Sequence, residues 1–172
     1  PRLVAVQATG CAAIVKAFDR ARETGGKVSF ALSDGFCVDR HFDEFHDLVD
    51  EHIDLLFANE VEICAWARTD DFDTAVEVVR GRCEVAVLTR SEAGSVIVTA
   101  DETHHVPAAA VDEVVDTTGA GDLYAAGFLH GYTQGLDLPT CGRLGAAAAA
   151  EVISHLGARP EIPLTEIAER VL

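Results

Sequence analysis

Short apolar runs alternate along this chain with longer stretches in which apolar residues recur every three or four positions. The runs are rich in Val, Ile, Leu and Phe, as strands buried on both faces of a sheet require, and they cover 3–6, 27–32, 53–58 and 85–88. The longer stretches predict amphipathic helices. These helices are expected over 8–23, 41–52, 71–80, 137–156 and 163–172. Two more are expected from 59 through Trp66 and from 122 onward, and Gly131 and Gly135 are expected to break the chain after the second of these.

The repeated order of strand, helix and strand predicts an α/β fold with a mostly parallel central sheet between two helix layers, a three-layer sandwich. The stretch 95–107 departs from this order, because two strands follow each other directly and favour an antiparallel addition. Pro107 suits an edge strand. Residues 33–37 are predicted to form a loop at the C-terminal end of the second strand, where ligands bind in parallel sheets.

Composition and charge limit the class of protein and the kinds of partner that this chain can bind. The chain has 172 residues, 49% of them hydrophobic, and a formal net charge of −16, so it is globular and repels nucleic acid and anionic membranes. An anionic ligand therefore needs local amides, Arg side chains or magnesium. Five Cys, an odd number without close pairs, predict free thiols in a reducing cytoplasm.

One stretch combines an anion site with a carboxylate. After the apolar Val114-Val115, a polar, glycine-rich turn over 116–121 leads into a helix of small and apolar residues. Amides from about Thr118 to Gly121 are left free at the positive end of this helix, and Asp122 lies in its first turn. The amides would hold a transferring phosphoryl group, and the carboxylate would take a proton from the attacking hydroxyl.

Two better-known phosphate loops do not fit this stretch. A P-loop needs Lys and Ser or Thr at the helix start, where Asp122 and Leu123 stand. A dinucleotide fingerprint needs a small residue three positions after the second Gly, where Tyr124 stands, so an NAD-binding protein is disfavoured. A helix N-terminus with an acidic residue that suits the dipole is the plainer alternative.

The string Asp-Thr-Thr-Gly-Ala-Gly-Asp at 116–122, followed by Ala-Ala-Gly-Phe-Leu at 125–129, resembles a signature of the ribokinase-like (PfkB) family of sugar and nucleoside kinases. The resemblance implies a ribokinase-like fold and ATP-dependent phosphoryl transfer. It makes Asp122 the catalytic base and assigns the anion hole to the amides of Gly119, Ala120 and Gly121.

The same resemblance implies further nucleotide-binding residues. Asn59-x-x-Glu62 resembles the family motif that organises magnesium and phosphate, with Glu62 acting through water, although the pair is equally a capping box at a helix start. The loop from Thr89 to Gly94 resembles the ATP loop. Within it, Ser91 stands where some members have Gly, and Arg90 is either a cation for phosphate or a solvent-exposed residue at a strand end.

Two further segments resemble family features that bind a monovalent cation and the acceptor of the phosphoryl group. Gly157-Ala-Arg-Pro resembles a ribokinase turn whose carbonyls, with those of Asp116 and Thr118 here, would bind a monovalent cation such as K⁺. The segment Leu32-Ser33-x-x-Phe36 resembles the matching part of adenosine kinases and favours adenosine as the acceptor. An ordinary turn at Asp34-Gly35 explains the same residues.

The resemblance covers essentially this whole chain but only the C-terminal half of a kinase. The chain begins at Pro1 and contains no Met, which predicts a piece of a longer protein. Residues 1–172 would be the C-terminal ATP-binding and catalytic part of a single domain, without the N-terminal substrate and lid portion through which relatives dimerise. The alternatives are a non-catalytic nucleotide-binding module and a kinase for ribose- or fructose-type sugars.

Overall fold

The computed structural model describes residues 3–6, 18, 20, 21 and 23–172, and the chain divides into two compact units. The first unit holds the residues up to Thr89 together with 98–103, and the second holds 90–97 and 104–172. Most of the helix predicted over 8–23 lies outside the described residues, as does Cys11. Phe18 and Ala21, which belong to that stretch, are helical and buried.

The first unit is built on a parallel sheet, as the apolar runs predicted. Its strands follow the chain order β1 (Leu3–Val6), β2 (Lys27–Ala31), β3 (Leu55–Asn59) and β4 (Val85–Thr89). Each pairs in parallel with the next, and the last residues of β3 and β4, Asn59 and Thr89, are Cα partners. This register brings two of the predicted site residues together at the C-terminal edge of the sheet.

Four helices complete the described elements of the first unit: α1 (Gly35–Arg40), α2 (Phe42–His52), α3 (Glu60–Ala67) and α4 (Phe72–Val79). The prediction of a loop over 33–37 was wrong from Gly35 onward. The Asp34 carboxylate accepts a hydrogen bond from the Phe36 amide at 3.0 Å, and this N-cap starts α1. Trp66 in α3 is fully buried and stacks on His46, with 4.1 Å between ring centroids.

The second unit contains three helices and most of the two strands of a hairpin, whose turn over 98–103 is assigned to the first unit. Strands β5 (Ser95–Val98) and β6 (Thr103–Val106) are joined by a tight turn in which the Thr99 amide donates to the Glu102 carbonyl at 2.9 Å. So short a connection requires the antiparallel pairing that was predicted. The helices are α5 (Ala120–Thr133), α6 (Leu138–Ile153) and α7 (Leu164–Val171).

Helix α5 continues through Gly131, so the prediction that this glycine breaks the chain was wrong. A Cβ at Gly131 would lie 2.8 Å from the Leu144 side chain, so the glycine serves the contact between α5 and α6. Gly135, with a φ of 76°, lies beyond the end of the helix. Across the described residues, no helix has the length and apolar character needed to cross a membrane.

Candidate active site

The turn before α5 is organised by the Asp116 carboxylate. Its Oδ1 accepts hydrogen bonds from the Thr118 amide at 2.9 Å and the Thr118 hydroxyl at 2.6 Å, and its Oδ2 accepts from the Gly157 amide at 3.0 Å. The bond from the Thr118 hydroxyl, followed by those from the Gly157 and Thr118 amides, lowers the pKa of Asp116 to about 2. An ionised carboxylate thus joins the 116–118 turn to Gly157.

Gly119 directs the chain into α5 and requires glycine for two reasons. Its φ of 82° is left-handed, which residues with a side chain rarely adopt. A Cβ at this position would also lie 2.8 Å from the Ala158 Cβ and 3.1 Å from the Ala158 Cα. The tight fit places Gly119 as the N-cap of α5, with the exposed Asp122 in the first turn as predicted.

At the N-terminal end of α5, some backbone amides donate hydrogen bonds, and others have no acceptor among the described residues. The Thr118 amide donates to Asp116, and the Ala120 amide donates to the Thr117 carbonyl at 3.2 Å. Within residues 23–172, no acceptor is bonded to the amides of Gly119 or Gly121. The sequence predicted open amides from Thr118 to Gly121, and the structure leaves two of them open beside Asp122.

The first unit carries Asn59 and Glu62 as a complete capping box at the start of α3. The Glu62 amide donates to Asn59 Oδ1 at 2.9 Å, while the Asn59 amide donates to Glu62 Oε2 at 2.9 Å. The Asn59 side-chain amide also donates to Glu62 Oε1 at 2.7 Å. The capping interpretation is confirmed, and both carboxylate oxygens of Glu62 are held at the end of β3.

Glu62 is half-buried, and its surroundings act on its titration in opposite directions. Loss of solvation is the largest effect and raises the pKa of Glu62, and the negative charge of Asp34 raises it further, against the hydrogen bond from the Asn59 amide. Asp34 is the N-cap of α1, so the 33–36 segment and the start of α3 influence each other. A cation near Glu62 would relieve both unfavourable effects.

The predicted ATP loop is shaped by two left-handed residues. Thr89 ends β4, and in the second unit the Arg90 amide donates to the Gly94 carbonyl at 2.8 Å and the Gly94 amide to the Ser91 carbonyl at 3.1 Å. Ser91 has a φ of 49° and Gly94 a φ of 86°. Ser91 therefore adopts a backbone conformation that favours glycine. Arg90 is half-buried.

Sequence reasoning passed over Glu151, near the C-terminal end of α6. Its Oε1 accepts hydrogen bonds from the amides of Glu161 at 2.7 Å and Ile162 at 3.0 Å. The available signal was a single charged residue directly after the Ala146–Ala150 run, with His155 four positions later. Periodicity alone could not distinguish it from a solvated position on the helix.

Comparison with known proteins identifies the family. Residues 4–165 match the model of the pfkB family of carbohydrate kinases, which is nearly the whole chain. A nucleoside kinase from Methanocaldococcus jannaschii is 36% identical over 113 residues, which make up 66% of this chain and 37% of that protein. The chain belongs to the pfkB family of carbohydrate kinases.

Solved structures show the same fold. Crystal structures of a probable sugar kinase from Rhizobium etli CFN 42 and of adenosine kinase from Sinorhizobium meliloti match with a TM-score of 0.94 each, at 42% and 41% identity. The matches cover 98% and 99% of this chain but 53% and 54% of theirs. The Methanocaldococcus jannaschii nucleoside kinase, described as an archaeal member of the ribokinase family, matches with a TM-score of 0.78, at 28% identity over 98% of this chain and 55% of its own.

These matches confirm the predicted ribokinase-like α/β fold, with a mostly parallel sheet flanked by helices. The chain spans about half the length of the solved relatives.

Proposed function

We propose that the protein transfers the γ-phosphoryl group of ATP to a primary hydroxyl of a nucleoside or sugar, with adenosine the favoured acceptor. The start of α5 is the observation that carries this proposal. There the amides of Gly119 and Gly121 have no partner among the described residues, and Asp122 stands in the same helical turn. An anion site beside a carboxylate fits a reaction in which a phosphoryl group meets a hydroxyl that must lose its proton.

In this mechanism Asp122 accepts the proton of the attacking hydroxyl, and the helix N-terminus stabilises the negative charge of the transferring group. The open amides of Gly119 and Gly121 donate to its oxygens. The Ala120 amide joins them if its 3.2 Å bond to the Thr117 carbonyl is exchanged for one to the phosphoryl group. Donors fixed in advance in this way need no reorganisation during the reaction.

The other predicted site residues indicate how the protein would bind the nucleotide and the metal ions. We expect Thr89, Arg90, Ser91 and Gly94 to contact the nucleotide, and Asn59 and Glu62 to organise Mg²⁺ through water. Burial and the charge of Asp34 raise the pKa of Glu62. Mg²⁺ would favour the ionised form of this carboxyl group. The carbonyls of Asp116, Thr118 and Gly157 would bind K⁺, and the hydrogen bond between Asp116 and the Gly157 amide supports this by joining the two segments.

The domain assignment, location and partners belong to the same proposal. Residues 1–172 form the C-terminal ATP-binding and catalytic part of a single ribokinase-like domain in a cytoplasmic enzyme. The coverage of about half of each solved relative supports the domain assignment. The protein would pair through lid strands outside this chain, and the net charge of −16 argues against nucleic acid and membrane as partners.

Two observations bear on the acceptor. The adenosine kinase of Sinorhizobium meliloti, at 41% identity, and the sequence of residues 32–36 favour adenosine. The probable sugar kinase of Rhizobium etli CFN 42, at 42% identity, favours a sugar as the second candidate.

The test is ADP release by the full-length gene product with ATP and Mg²⁺, on adenosine, inosine, ribose and fructose, with and without K⁺. We expect the highest kcat/KM on adenosine. Turnover on a sugar alone would keep the mechanism and exclude adenosine. If no acceptor is turned over while ATP still binds, the kinase proposal is overturned in favour of a nucleotide-binding module.

A further inference from the structure

Glu151 is a buried acid in an otherwise apolar stretch of α6. Its side chain is 9% exposed, and its Oε2 is buried with no hydrogen-bond partner in the described part of the chain. The other oxygen, Oε1, lies 3.3 Å from His155 Nε2 and accepts the amides of Glu161 and Ile162. Burying a carboxylate with one oxygen unpartnered is unfavourable, so simple helix packing does not explain this residue.

The two amide bonds hold the segment that follows α6. Glu161 and Ile162 lie 10 and 11 residues after Glu151, so one carboxylate oxygen closes the loop between α6 and α7. Within that loop, the Gly157 amide donates to Asp116 Oδ2 at 3.0 Å, and Ala158 lies directly against Gly119. The loop therefore forms one wall of the turn that opens α5.

The end of α6 contacts the same turn directly. The Ile153 carbonyl accepts the Val115 amide at 2.8 Å and the Asp116 amide at 3.4 Å. A positive charge on His155, which follows Glu151 by one helical turn, would also lower the pKa of Asp116. The 115–119 turn is thus held on one side by the last turn of α6 and on the other by the loop that Glu151 closes.

We infer that Glu151 is a positioning residue for phosphoryl transfer, which fixes the anion-binding turn through the 157–162 loop without touching the substrate. Releasing Glu161 and Ile162 would free Gly157 and Ala158, and these are the contacts that hold Asp116 and Gly119. The amides of Gly119 and Gly121 would then lose their fixed direction relative to Asp122. This inference rests on the proposed function for its kinetic consequence but not for its structural one.

The kinetic test compares Glu151→Leu, Glu151→Gln and the matched control Glu161→Leu in the full-length protein with adenosine and ATP. Glu161 has an exposed side chain in the same loop, and only its backbone donates to Glu151. We expect Glu151→Leu to lower kcat by roughly 10- to 100-fold with little change in KM, because the misplaced donors act mainly in the transition state. Glu151→Gln, which keeps the acceptor oxygen, should recover most of the loss, and Glu161→Leu should match the wild type. Equal kcat in Glu151→Leu and Glu161→Leu, both folded, would overturn the inference.

A second measurement does not depend on catalysis. Amide hydrogen exchange, followed by mass spectrometry, should accelerate in peptides covering 116–121 and 157–162 in Glu151→Leu but not in Glu161→Leu. If Glu151→Leu does not fold, the same comparison is made with Glu151→Ala, which also removes the acceptor oxygen, and with Ala158→Gly, which removes the contact to Gly119. Unchanged exchange at 116–121 in all of these variants contradicts the positioning role. Absent turnover in the wild type would instead count against the proposed function alone.

Discussion

Asp116 illustrates how much of the candidate site depends on one side chain. The sequence singled out its backbone carbonyl as a cation ligand, whereas the structure shows its carboxylate accepting three hydrogen bonds. Two of these come from Thr118 and are local, as in an Asx turn. The third comes from Gly157, 41 residues away, and no local pattern could reveal it.

The lowered pKa of Asp116 leads to a prediction about stability and pH. The pKa in the folded protein is about 2, against an ordinary value of 3.8, so the ionised carboxylate stabilises the fold above pH 3.8 and this contribution is lost as the pH falls toward 2. We expect Asp116→Asn to be less stable than the wild type near neutral pH. The difference should narrow between pH 4 and pH 2.

Urea unfolding of both proteins at a series of pH values checks this prediction. Parallel pH profiles for the wild type and Asp116→Asn would show that the Asp116 carboxylate does not contribute in this way.

Other residue-scale features lay beyond sequence reasoning for identifiable reasons. Ser91 has a left-handed backbone in a loop where a serine residue does not predict a positive φ. The amides that bond to Glu151 belong to Glu161 and Ile162, 10 and 11 residues away, so no helical periodicity could reveal these contacts. By contrast, the capping box of Asn59 and Glu62 is local, and it could be predicted.

At the scale of elements, α5 and α6 pack unusually closely through glycines. A Cβ at Gly127 would lie 2.5 Å from the Leu144 carbonyl oxygen, and one at Gly145 would lie 2.8 Å from the Tyr124 carbonyl oxygen. These glycines are where the two backbones meet, and this contact fixes the helix that carries Asp122.

Gly127→Ala should therefore destabilise the protein even though alanine favours helices. Overpacking against the Leu144 backbone is expected to cost about 1–3 kcal/mol, more than the gain of about 1 kcal/mol from helix propensity. The matched control is Gly121→Ala in the same helix, where a Cβ has no neighbouring atom within 4 Å and φ is not positive.

The free energy of unfolding in urea distinguishes the two variants. Gly121→Ala should be as stable as the wild type or slightly more stable. A Gly127→Ala protein with unchanged stability would mean that the helices separate easily and do not hold Asp122 rigidly.

The elements themselves were largely predictable, because apolar runs and helical periodicity reflect burial directly. The parallel strands, the antiparallel hairpin and most helices occur where these patterns placed them. The misses arose at glycines. The sequence predicts a turn at Gly35, although the Asp34 cap begins a helix there, and a break at Gly131, although this glycine serves the contact with α6.

At the scale of the whole molecule, the chain is a pfkB family segment that spans about half of its solved relatives. The seven-residue string at 116–122 carried the family resemblance, and the match over residues 4–165 confirms it. The sequence does not determine the acceptor, because the residues proposed to select it are few and adopt an ordinary capped helix start at Asp34. The chemistry assigned to Asp122 is less dependent on the acceptor.

The most direct test of this account is the kcat for ADP release by the full-length Asp122→Asn variant, with ATP, Mg²⁺ and adenosine, beside the wild type. Asp112→Asn, an exposed acid in the same unit with no assigned role, is the matched control. We predict that Asp122→Asn lowers kcat by ~10²–10⁴-fold while ATP binding persists, because the attacking hydroxyl loses its general base. Normal turnover by Asp122→Asn with ATP bound would contradict the central claim that Asp122 accepts the proton.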